Sequence, residues 1–267
     1  LTTTGTLDSK FGFSIETGQA EEAVRQAQAA PNLDLRGIHF HLGSPLFELE
    51  PYQEAIPYVM AFAANMRDRH GLELREFSPG GGYAIGYTGE QEPPSLSQYA
   101  KAISEALVAS CVEHGFELPQ LIIEPGRSIV GRAGVAVYTI GAIKPIPGVR
   151  TYVSVDGGMG DNIRPALYGA EYEAHSVNKA TEPAAGEFRI SGKFCEGESD
   201  ILVRGAQLPE PEPGDLIAVP ASGAYNLSMA SNYNMIRRPA VVMVAEGAAR
   251  LIRRRETYDD LLATSLL

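Results

Sequence analysis

Hydrophobic and polar positions in the first half of the chain switch between two periods. Helix-forming residues with apolar positions on one face occupy residues 20–30, 52–69 and 95–114, which predicts three helices. Short β-rich runs lie between these stretches: LRGIHFHLG, REFSPGGG and QLIIEPG, the last with the composition of a buried strand. Regular alternation of strand, loop and helix is typical of a parallel α/β architecture, either open or closed into a barrel.

The second half of the chain has a different pattern. After about Gly131 it consists of short β-rich segments punctuated by Gly and Pro, namely VAVYTIGAIK, TYVSVDGG, EFRISGKF, SDILVRG, DLIAVP and AVVMVAEG. This pattern predicts an all-β domain, followed by a short helix at Tyr258–Leu262. We place the domain boundary so that residues 1–133 form the α/β domain and residues 134–267 form the β-rich domain.

Composition and charge narrow the classes of partner. The net charge of −11, from 33 acidic and 22 basic residues, argues against a nucleic-acid or anionic-membrane surface and favours a small-molecule partner. The sequence has no apolar stretch of the roughly 18 residues that a membrane span needs, and its start lacks a signal-peptide pattern, so we expect cytoplasmic residence. Two cysteines, Cys111 and Cys195, are too few for a disulfide framework or a cysteine-built zinc site. Five histidines without HExxH spacing give no expectation of a metal.

Three successive strands of the α/β half end in residues that can carry chemistry. These are His41 and Ser44 in HFHLGS, the run Gly80–Gly82, and Glu124 with Arg127 in EPGR. In a (β/α)8 barrel the active site gathers at the carboxyl ends of the strands, so the three segments suit one catalytic face. The glycines can bring backbone N–H groups close to a phosphate because no Cβ intervenes, although a tight strand-to-helix turn would also explain them.

Glu124 and His41 each admit two interpretations. Glu124 could form a structural ion pair with Arg127, or it could face a ring nitrogen and keep a pyridinium protonated, which strengthens the ring as an electron sink. His41 could stack on such a ring, or it could be a hydrogen-bonded core histidine. The residues alone leave both choices open.

Polar clusters in the β-rich half suggest loops that face a site. Arg164 and Tyr168 lie four residues apart in DGGMGDNIRPALYGA, and Cys195 precedes Glu196 in CEGESD. A free cysteine is usually a small buried hydrophobe, but the charged neighbours of Cys195 favour exposure. Tyr225 has small neighbours in GAYNLSMASNYN, which leave room for its phenol to reach a ligand.

Taken in order, seven motifs resemble those of diaminopimelate decarboxylases of the alanine-racemase-like fold class. They are HFHLGS, PGGGYAIGY, EPGR, DGGMGDNIRPALYGA, GKFCEGESD, GDLIAVPASGAY and SNYNMIRRP, and the resemblance covers nearly all 267 residues. It implies a (β/α)8 TIM-type barrel that holds pyridoxal 5'-phosphate, a β-sandwich or barrel-like domain that completes the site, and a homodimer with shared active sites. The implied reaction is decarboxylation of meso-2,6-diaminopimelate to L-lysine and CO2.

The resemblance also implies the site residues, motif by motif. Those implied to bind the cofactor are His41, Ser44, Gly80, Gly81, Gly82, Glu124, Gly126, Arg127 and Tyr225. Those implied to bind the amino-acid substrate are Arg127, Arg164, Tyr168, Glu196 and Tyr225, and Cys195 is the implied proton donor. The two arginines suit a substrate with a second carboxylate, because a guanidinium offers a planar fork for carboxylate oxygens.

The chain departs from the family pattern in three places. It has HLGSP where HIGSQ is common, and the spacing from Cys195 to Asp200 is one residue longer than usual. The family's cofactor-anchoring lysine, in a Tyr-Ala-x-Lys-like strand, has no good counterpart among the five lysines. Because a (β/α)8 barrel takes roughly 250 residues, we expect an N-terminally truncated fragment that is unstable or aggregated when expressed alone.

Two other functions stay open. A sister decarboxylase acting on ornithine, arginine or carboxynorspermidine would need carboxylates near Arg164 to receive a cationic distal end. A non-catalytic homologue that regulates an active partner would account for the missing lysine. Such a regulator has no need to keep Cys195, Glu124 and the arginines together.

Overall fold

The structure, a computed structural model, describes residues 2–3 and 9–266. The chain divides into two compact units. One comprises Leu1–Gly86 and Gln91–Ile129, and the other comprises Tyr87–Glu90 and Val130–Leu267. The predicted division between residues 133 and 134 stays a prediction, because compactness does not establish that either part folds independently.

The first part of the chain alternates short strands with helices, as predicted. Its helices are α1 (Gln19–Ala29), α2 (Glu50–His70), α3 (Leu96–His114) and α4 (Arg127–Val130). Its strands are β1 (Thr2–Thr3), β2 (Gly37–His39), β3 (Gly43–Ser44), β4 (Glu76–Ser78) and β5 (Gln120–Leu121). Strands β2, β4 and β5 form a parallel sheet in that order, and β1 pairs antiparallel with β3.

Local sequence signals set the ends of the long helices. Ser95 caps α3 by accepting a hydrogen bond from the backbone of Gln98, whose side chain accepts one from the backbone of Ser95 in return. Gly71 and Gly115 end α2 and α3 in the left-handed conformation, with φ of 72° and 67°. These caps satisfy backbone groups that a helix end would otherwise leave unpaired.

The core of the first unit lies where α2 and α3 pack against β4. Tyr52, Ile56 and Met60 on α2 are spaced four residues apart and lie fully buried on one face. They share a cluster with Phe77 of β4 and with Tyr99 of α3. Each such apolar side chain removed from water stabilises the fold by about 1.5–3 kcal/mol, so this cluster anchors the strand ends that follow.

The expectation that QLIIEPG forms a buried strand is wrong. Only Gln120 and Leu121 form β5, both are exposed, and Ile123 beyond them is 51% exposed. In the part of the chain that the structure describes, β5 pairs with β4 alone and forms the edge of the three-stranded sheet. Its apolar side chains therefore remain accessible although its composition is that of a core strand.

The second part of the chain is β-rich, as predicted. Its strands are β6 (Ala136–Ile146), β7 (Arg150–Val155), β8 (His175–Ser176), β9 (Gly186–Ser191), β10 (Ile201–Leu208), β11 (Leu216–Val219), β12 (Val241–Ala245) and β13 (Ala248–Arg253). Its helices are α5 (Arg164–Tyr168), α6 (Asn226–Met229) and α7 (Tyr258–Leu262), the last with the predicted bounds. Six strands form one sheet in the order β10-β9-β7-β6-β11-β8, in which only β7 and β9 pair in parallel among the described residues.

Alternating side chains build the core of the second unit. Phe188 and Ile190 on β9 are buried, as are Val153 and Val155 on β7, while the residues between them are less buried. A period of two places alternate residues on the same face of a sheet, so one face of this sheet is apolar. Within the described residues, no helix has the length and apolar composition needed to span a membrane.

Candidate active site

Three strand ends converge in the first unit. The Gly80–Gly82 loop follows β4 and lies between the segments that follow β2 and β5. Gly81 N donates a hydrogen bond to Nδ1 of His41 over 3.4 Å, and Glu124 N donates one to the carbonyl of Gly80 over 3.0 Å. Because the three strands are parallel, their carboxyl ends meet at one edge of the sheet, as the sequence predicts for this site.

The glycine loop is packed too tightly for side chains. A Cβ at Gly81 would lie 2.1 Å from the carbonyl oxygen of Glu124, and one at Gly82 would lie 2.4 Å from that of Gly43. Gly80 and Gly82 also have φ of 76° and 105°, where glycine is favoured. The loop is therefore a tight turn whose backbone approaches both neighbouring strand ends, which satisfies a requirement of the phosphate-loop interpretation.

Glu124 approaches a histidine that the sequence reasoning did not single out. Its Oε1 lies 3.6 Å from Nδ1 of His39, an ion pair when the imidazole is protonated, and its side chain is 54% exposed. Burial of Tyr83 is the largest effect that raises its pKa, and the charge of Glu124 raises that pKa further. The carboxylate is thus partly solvated, and His39, in the same HFH run as His41, could have been predicted as its neighbour.

Arg127 and Ser44 form a donor pair near the start of α4. Arg127 is 6% exposed, and its Nη2 donates a hydrogen bond to Oγ of Ser44 over 3.1 Å. Gly126 precedes it, and its carbonyl accepts a hydrogen bond from Ile129 N over 3.1 Å. A buried guanidinium beside a hydroxyl is a donor set that suits a phosphate, and a carboxylate such as that of Glu124 suits a protonated ring nitrogen. The residues of the first unit therefore fit a phosphorylated pyridine cofactor.

Arg164 lies at the centre of a tyrosine cluster in the second unit. Its guanidinium carbon is 5.7 Å from the ring centroids of Tyr87 and Tyr168 and 5.1 Å from that of Tyr225. Its Nε donates a hydrogen bond to the hydroxyl of Tyr172 over 2.9 Å. Arg164 is 6% exposed, and no carboxylate of the described residues lies within 4.0 Å of its guanidinium nitrogens. A buried cation that aromatic faces stabilise and that lacks an acidic partner favours binding of an anion.

The backbone at Tyr225 is in an uncommon conformation. Its φ is 70° and its ψ is −32°, which a non-glycine residue adopts at an energetic cost. Such residues concentrate at binding sites, where the surrounding structure enforces them. Tyr168, in contrast, lies on the regular helix α5, four residues after Arg164 and on the same face.

Cys195 and Glu196 lie in a loop beside Tyr233. Cys195 is exposed, as its charged neighbours predict, whereas Cys111 is buried in α3. The hydroxyl of Tyr233 donates a hydrogen bond to the carboxylate of Glu196, and its ring stacks on Phe194 with centroids 6.0 Å apart. Tyr233 comes from the SNYN motif, but nothing in its sequence context identified its partner.

Asp200 fixes the loop that contains Cys195. Its carboxylate accepts hydrogen bonds from Met159 N over 2.6 Å and from Phe194 N over 2.9 Å. Burial raises the pKa of Asp200 although both N–H groups oppose that shift. A Cβ at Gly158 or Gly192 would lie 2.4 Å from its Oδ1, so both glycines are needed for this approach. A 3-10 turn at Glu198–Asp200 ends this loop.

The predicted site residues therefore fall into three groups, each within one unit. The first group, in the first unit, contains His41, Ser44, Gly80, Gly81, Gly82, Glu124, Gly126 and Arg127. The second group contains Arg164, Tyr168 and Tyr225, and the third contains Cys195 and Glu196. Residues that the sequence reasoning missed are His39, Tyr87, Tyr172 and Tyr233. The roles of all these residues stay predictions.

The first part of the chain is similar to the pyridoxal-binding domains of decarboxylases. Residues 1–131 match the family model described as "Pyridoxal-dependent decarboxylase, pyridoxal binding domain". The chain is 45% identical over 264 residues to the diaminopimelate decarboxylase of Bacillus subtilis, an alignment that covers 99% of this chain and 60% of that protein. It is 43% identical over 265 residues to the diaminopimelate decarboxylase of Synechocystis, an alignment that covers 99% of this chain and 55% of that protein.

Solved structures give the same result. The chain superposes on the diaminopimelate decarboxylase of M. jannaschii with a TM-score of 0.90 and 34% identity, covering 99% of this chain and 59% of that one. It superposes on the Helicobacter pylori diaminopimelate decarboxylase complexed with L-lysine with a TM-score of 0.85 and 34% identity, covering 98% of this chain and 61% of that one. The chain is similar to diaminopimelate decarboxylases over nearly all of its length, and the predicted fold class is confirmed.

The chain spans 60% of the length of the Bacillus subtilis protein and 55% of that of the Synechocystis protein. Activity, substrate and partners of the whole protein are therefore proposals.

Proposed function

We propose that the protein decarboxylates meso-2,6-diaminopimelate to L-lysine and CO2 with pyridoxal 5'-phosphate, as a carbon–carbon lyase of lysine biosynthesis. The observation that carries this proposal is the buried guanidinium of Arg164, which has no carboxylate of the described residues within 4.0 Å. Diaminopimelate retains a second carboxylate after decarboxylation, and that group would neutralise this cation. The relatives from M. jannaschii and Helicobacter pylori were solved with L-lysine, which carries such a carboxylate.

The first unit would bind the cofactor. Bound pyridoxal phosphate would supply the electron sink for the pair that CO2 leaves behind. Glu124 would hold the proton of the ring nitrogen, and His41 would lie against the ring. Ser44, the loop Gly80–Gly82 and the segment Gly126-Arg127 would donate hydrogen bonds to the phosphate, because a cation, a hydroxyl and open backbone N–H groups suit a dianion.

Five of the residues that the motifs imply would bind the substrate. Arg127 and Arg164 would bind carboxylates, with Tyr168 and Tyr225 bordering them, and Glu196 would accept a hydrogen bond from the distal ammonium group. When the α-carboxylate leaves as CO2, its bonding electrons remain with the organic fragment, and the thiol of Cys195 would then donate a proton to the α-carbon. Tyr225 would contact cofactor and substrate.

A sister decarboxylase for ornithine, arginine or carboxynorspermidine is the alternative. Its substrate ends in a cation, which a buried guanidinium would repel rather than bind. The surroundings of Arg164 are aromatic, and the acidic side chains that a cationic end requires are not found within ion-pair distance of it among the described residues. This favours the dicarboxylate substrate.

Two further parts of the proposal concern the oligomeric state and the cellular location. We infer a homodimer with shared active sites, and cytoplasmic residence, from the family resemblance of the motifs. Sedimentation velocity on the purified protein tests the first part, and a monomer at micromolar concentration would contradict it. Fractionation of cells that produce the tagged protein tests the second.

The function is tested on protein expressed from the whole reading frame that contains these 267 residues. With pyridoxal phosphate present, we expect CO2 release from meso-diaminopimelate and at least a hundredfold lower kcat/KM for ornithine and arginine. Cys195→Ala should lower kcat strongly, whereas Cys111→Ala, which changes the buried cysteine of α3, should leave kcat near that of the unmodified enzyme. Borohydride reduction followed by peptide mass spectrometry would identify the lysine that holds the cofactor.

Three results would contradict the proposal or one of its parts. Faster turnover of ornithine or arginine than of diaminopimelate would favour the sister enzyme. Binding to an active decarboxylase subunit without any turnover would favour a regulator. A borohydride-reduced adduct on one of the five lysines of this chain would contradict the expectation that none of them anchors the cofactor.

A further inference from the structure

Arg164 is hydrogen-bonded into a relay with two side chains to which no motif assigned a role. Nε of Arg164 donates to the hydroxyl of Tyr172 over 2.9 Å, and that hydroxyl donates to Oδ1 of Asn226 over 3.3 Å. Arg164, Tyr172 and Asn226 are 6%, 4% and 6% exposed. We use the name Arg164 relay for these three residues.

The direction of each hydrogen bond in the relay follows from the donor chemistry. A guanidinium can only donate, so the oxygen of Tyr172 must accept from Nε. The single phenolic proton of Tyr172 is then left for Oδ1 of Asn226, which fixes the orientation of the amide. Burial raises the pKa of Tyr172, and although Arg164 opposes that shift, the phenol keeps its proton at neutral pH.

The amide of Asn226 is retained in the relay at a cost. Its Nδ2 is buried and, among the described residues, has no hydrogen-bond partner. An unsatisfied buried donor costs about 1–3 kcal/mol, so an apolar residue would suit the first position of α6 better if packing alone decided. The acceptor that Asn226 provides for Tyr172 explains why a polar residue stands there.

The relay limits how Arg164 can bind a carboxylate. Tyr87 packs edge-on against Tyr172 with centroids 5.2 Å apart, and the guanidinium also faces the ring of Tyr225. With Nε engaged by Tyr172, a bidentate carboxylate can use only the two terminal Nη groups. We propose that Tyr172 and Asn226 are positioning residues, which hold Nε of Arg164 so that both Nη groups face the carboxylate of the ligand. This inference rests on the proposed function.

The test compares two ligands that differ by one carboxylate. L-Lysine and cadaverine share a diamine chain, but only lysine carries the carboxylate that Arg164 would bind. Calorimetry on the cofactor-loaded, full-length protein should show that Tyr172→Phe weakens lysine binding about tenfold while cadaverine binding is unchanged. Asn226→Leu, of similar size but without an acceptor, should act in the same direction from the other end of the relay. Tyr152→Phe, on β7, is the matched control and should leave both affinities unchanged.

A second readout does not depend on the reaction. In protein labelled with 15N-arginine, the Nε–H proton of Arg164 should exchange with water several-fold faster in Tyr172→Phe and Asn226→Leu than in the unmodified protein or in Tyr152→Phe. Unchanged exchange and unchanged lysine affinity in both variants would overturn the relay even if the enzyme is active. An inactive unmodified enzyme with the expected change in exchange would support the relay and overturn the proposed function instead.

Discussion

The hydroxyl of Tyr233 donates a hydrogen bond to the carboxylate of Glu196. This bond is the largest cause that raises the pKa of the Tyr233 phenol above its ordinary value of 10.0, because a phenolate would face a carboxylate. The ring of Tyr233 also stacks on Phe194, the residue before Cys195. Glu196 is therefore held by a donor that stays protonated at neutral pH, within the loop that contains the proposed proton donor.

Removal of this donor should weaken substrate binding more than turnover. In Tyr233→Phe the ring still stacks on Phe194, but Glu196 loses its hydrogen bond and can rotate away from the distal ammonium group. We expect KM for meso-diaminopimelate to rise roughly five- to tenfold with kcat changed less than about threefold, as the loss of a hydrogen bond worth about 1 kcal/mol predicts. Steady-state kinetics measure both constants. Tyr258→Phe changes an exposed tyrosine of α7 and serves as control, and an unchanged KM in Tyr233→Phe would contradict the role of the bond.

Asp200→Asn should affect the same loop from its other side. An amide has one acceptor oxygen, so the substituted side chain could accept from Met159 N or from Phe194 N but would turn its NH2 group towards the other donor. We expect a loss of about 1–3 kcal/mol in the free energy of unfolding, and a lower kcat because the thiol of Cys195 is no longer held in place. Urea unfolding measures the first effect. Asp259→Asn, which changes an exposed carboxylate of α7, is the control, and an Asp200→Asn variant as stable and as active as the unmodified enzyme would show that Asp200 does not organise this loop.

The sequence predicted those parts of the site that lie at the ends of regular elements. The helix caps at Ser95 and Gly115 are local signals, and the glycine run after β4 marks a strand end directly. The relay partners could not be found in this way, because Tyr172 and Asn226 are 54 residues apart and only the tertiary fold brings them into contact. The same holds for Tyr233 and Glu196, which are 37 residues apart.

Two errors show what hydrophobicity alone does not reveal. The run that contains β5 has the composition of a buried strand, but composition does not tell which surface packs against it, and Leu121 is 38% exposed. Strand β13 was missed although a turn signal precedes it. Glu246 and Gly247 have φ of 51° and 75°, the backbone of a tight hairpin turn, and the glycine after the run AVVMVAE is the feature that could have predicted it.

The glycine loop of the first unit should not tolerate a single added methyl group. In Gly81→Ala the new Cβ would meet the carbonyl oxygen of Glu124 at 2.1 Å, so the backbone of the loop or of the following strand end must move. We expect at least a tenfold loss of affinity for pyridoxal phosphate, measured by the visible absorbance of the bound cofactor during titration of the apoenzyme. Gly141→Ala on β6, where the nearest atom would be 3.7 Å away, is the matched control. Equal cofactor affinity in the two variants would exclude the loop from the phosphate site.

Glu256 should make the stability of the second unit depend on acid pH. Its carboxylate accepts hydrogen bonds from Arg238 Nε over 2.6 Å, from Arg238 N over 2.8 Å and from Asn232 Nδ2 over 2.7 Å. The bond from the Arg238 side chain is the largest of the effects that lower the pKa of Glu256 from 4.5 to about 2. Asn232 directly precedes Tyr233, so this contact also anchors the segment that reaches Glu196.

A pKa that is lower in the folded state than in the unfolded state stabilises the fold above the unfolded pKa. The contribution of Glu256 should therefore be complete above about pH 5 and should disappear as the pH falls from 4.5 towards 2. At pH 7 we expect Glu256→Gln to lose about 2 kcal/mol of the free energy of unfolding, and the difference from the unmodified protein should shrink between about pH 5 and pH 3. Urea unfolding at pH 7, 5 and 3 measures it, with the exposed Glu182→Gln as control. A difference that stays constant over this range would mean that the substitution acts through packing rather than through the lost charge.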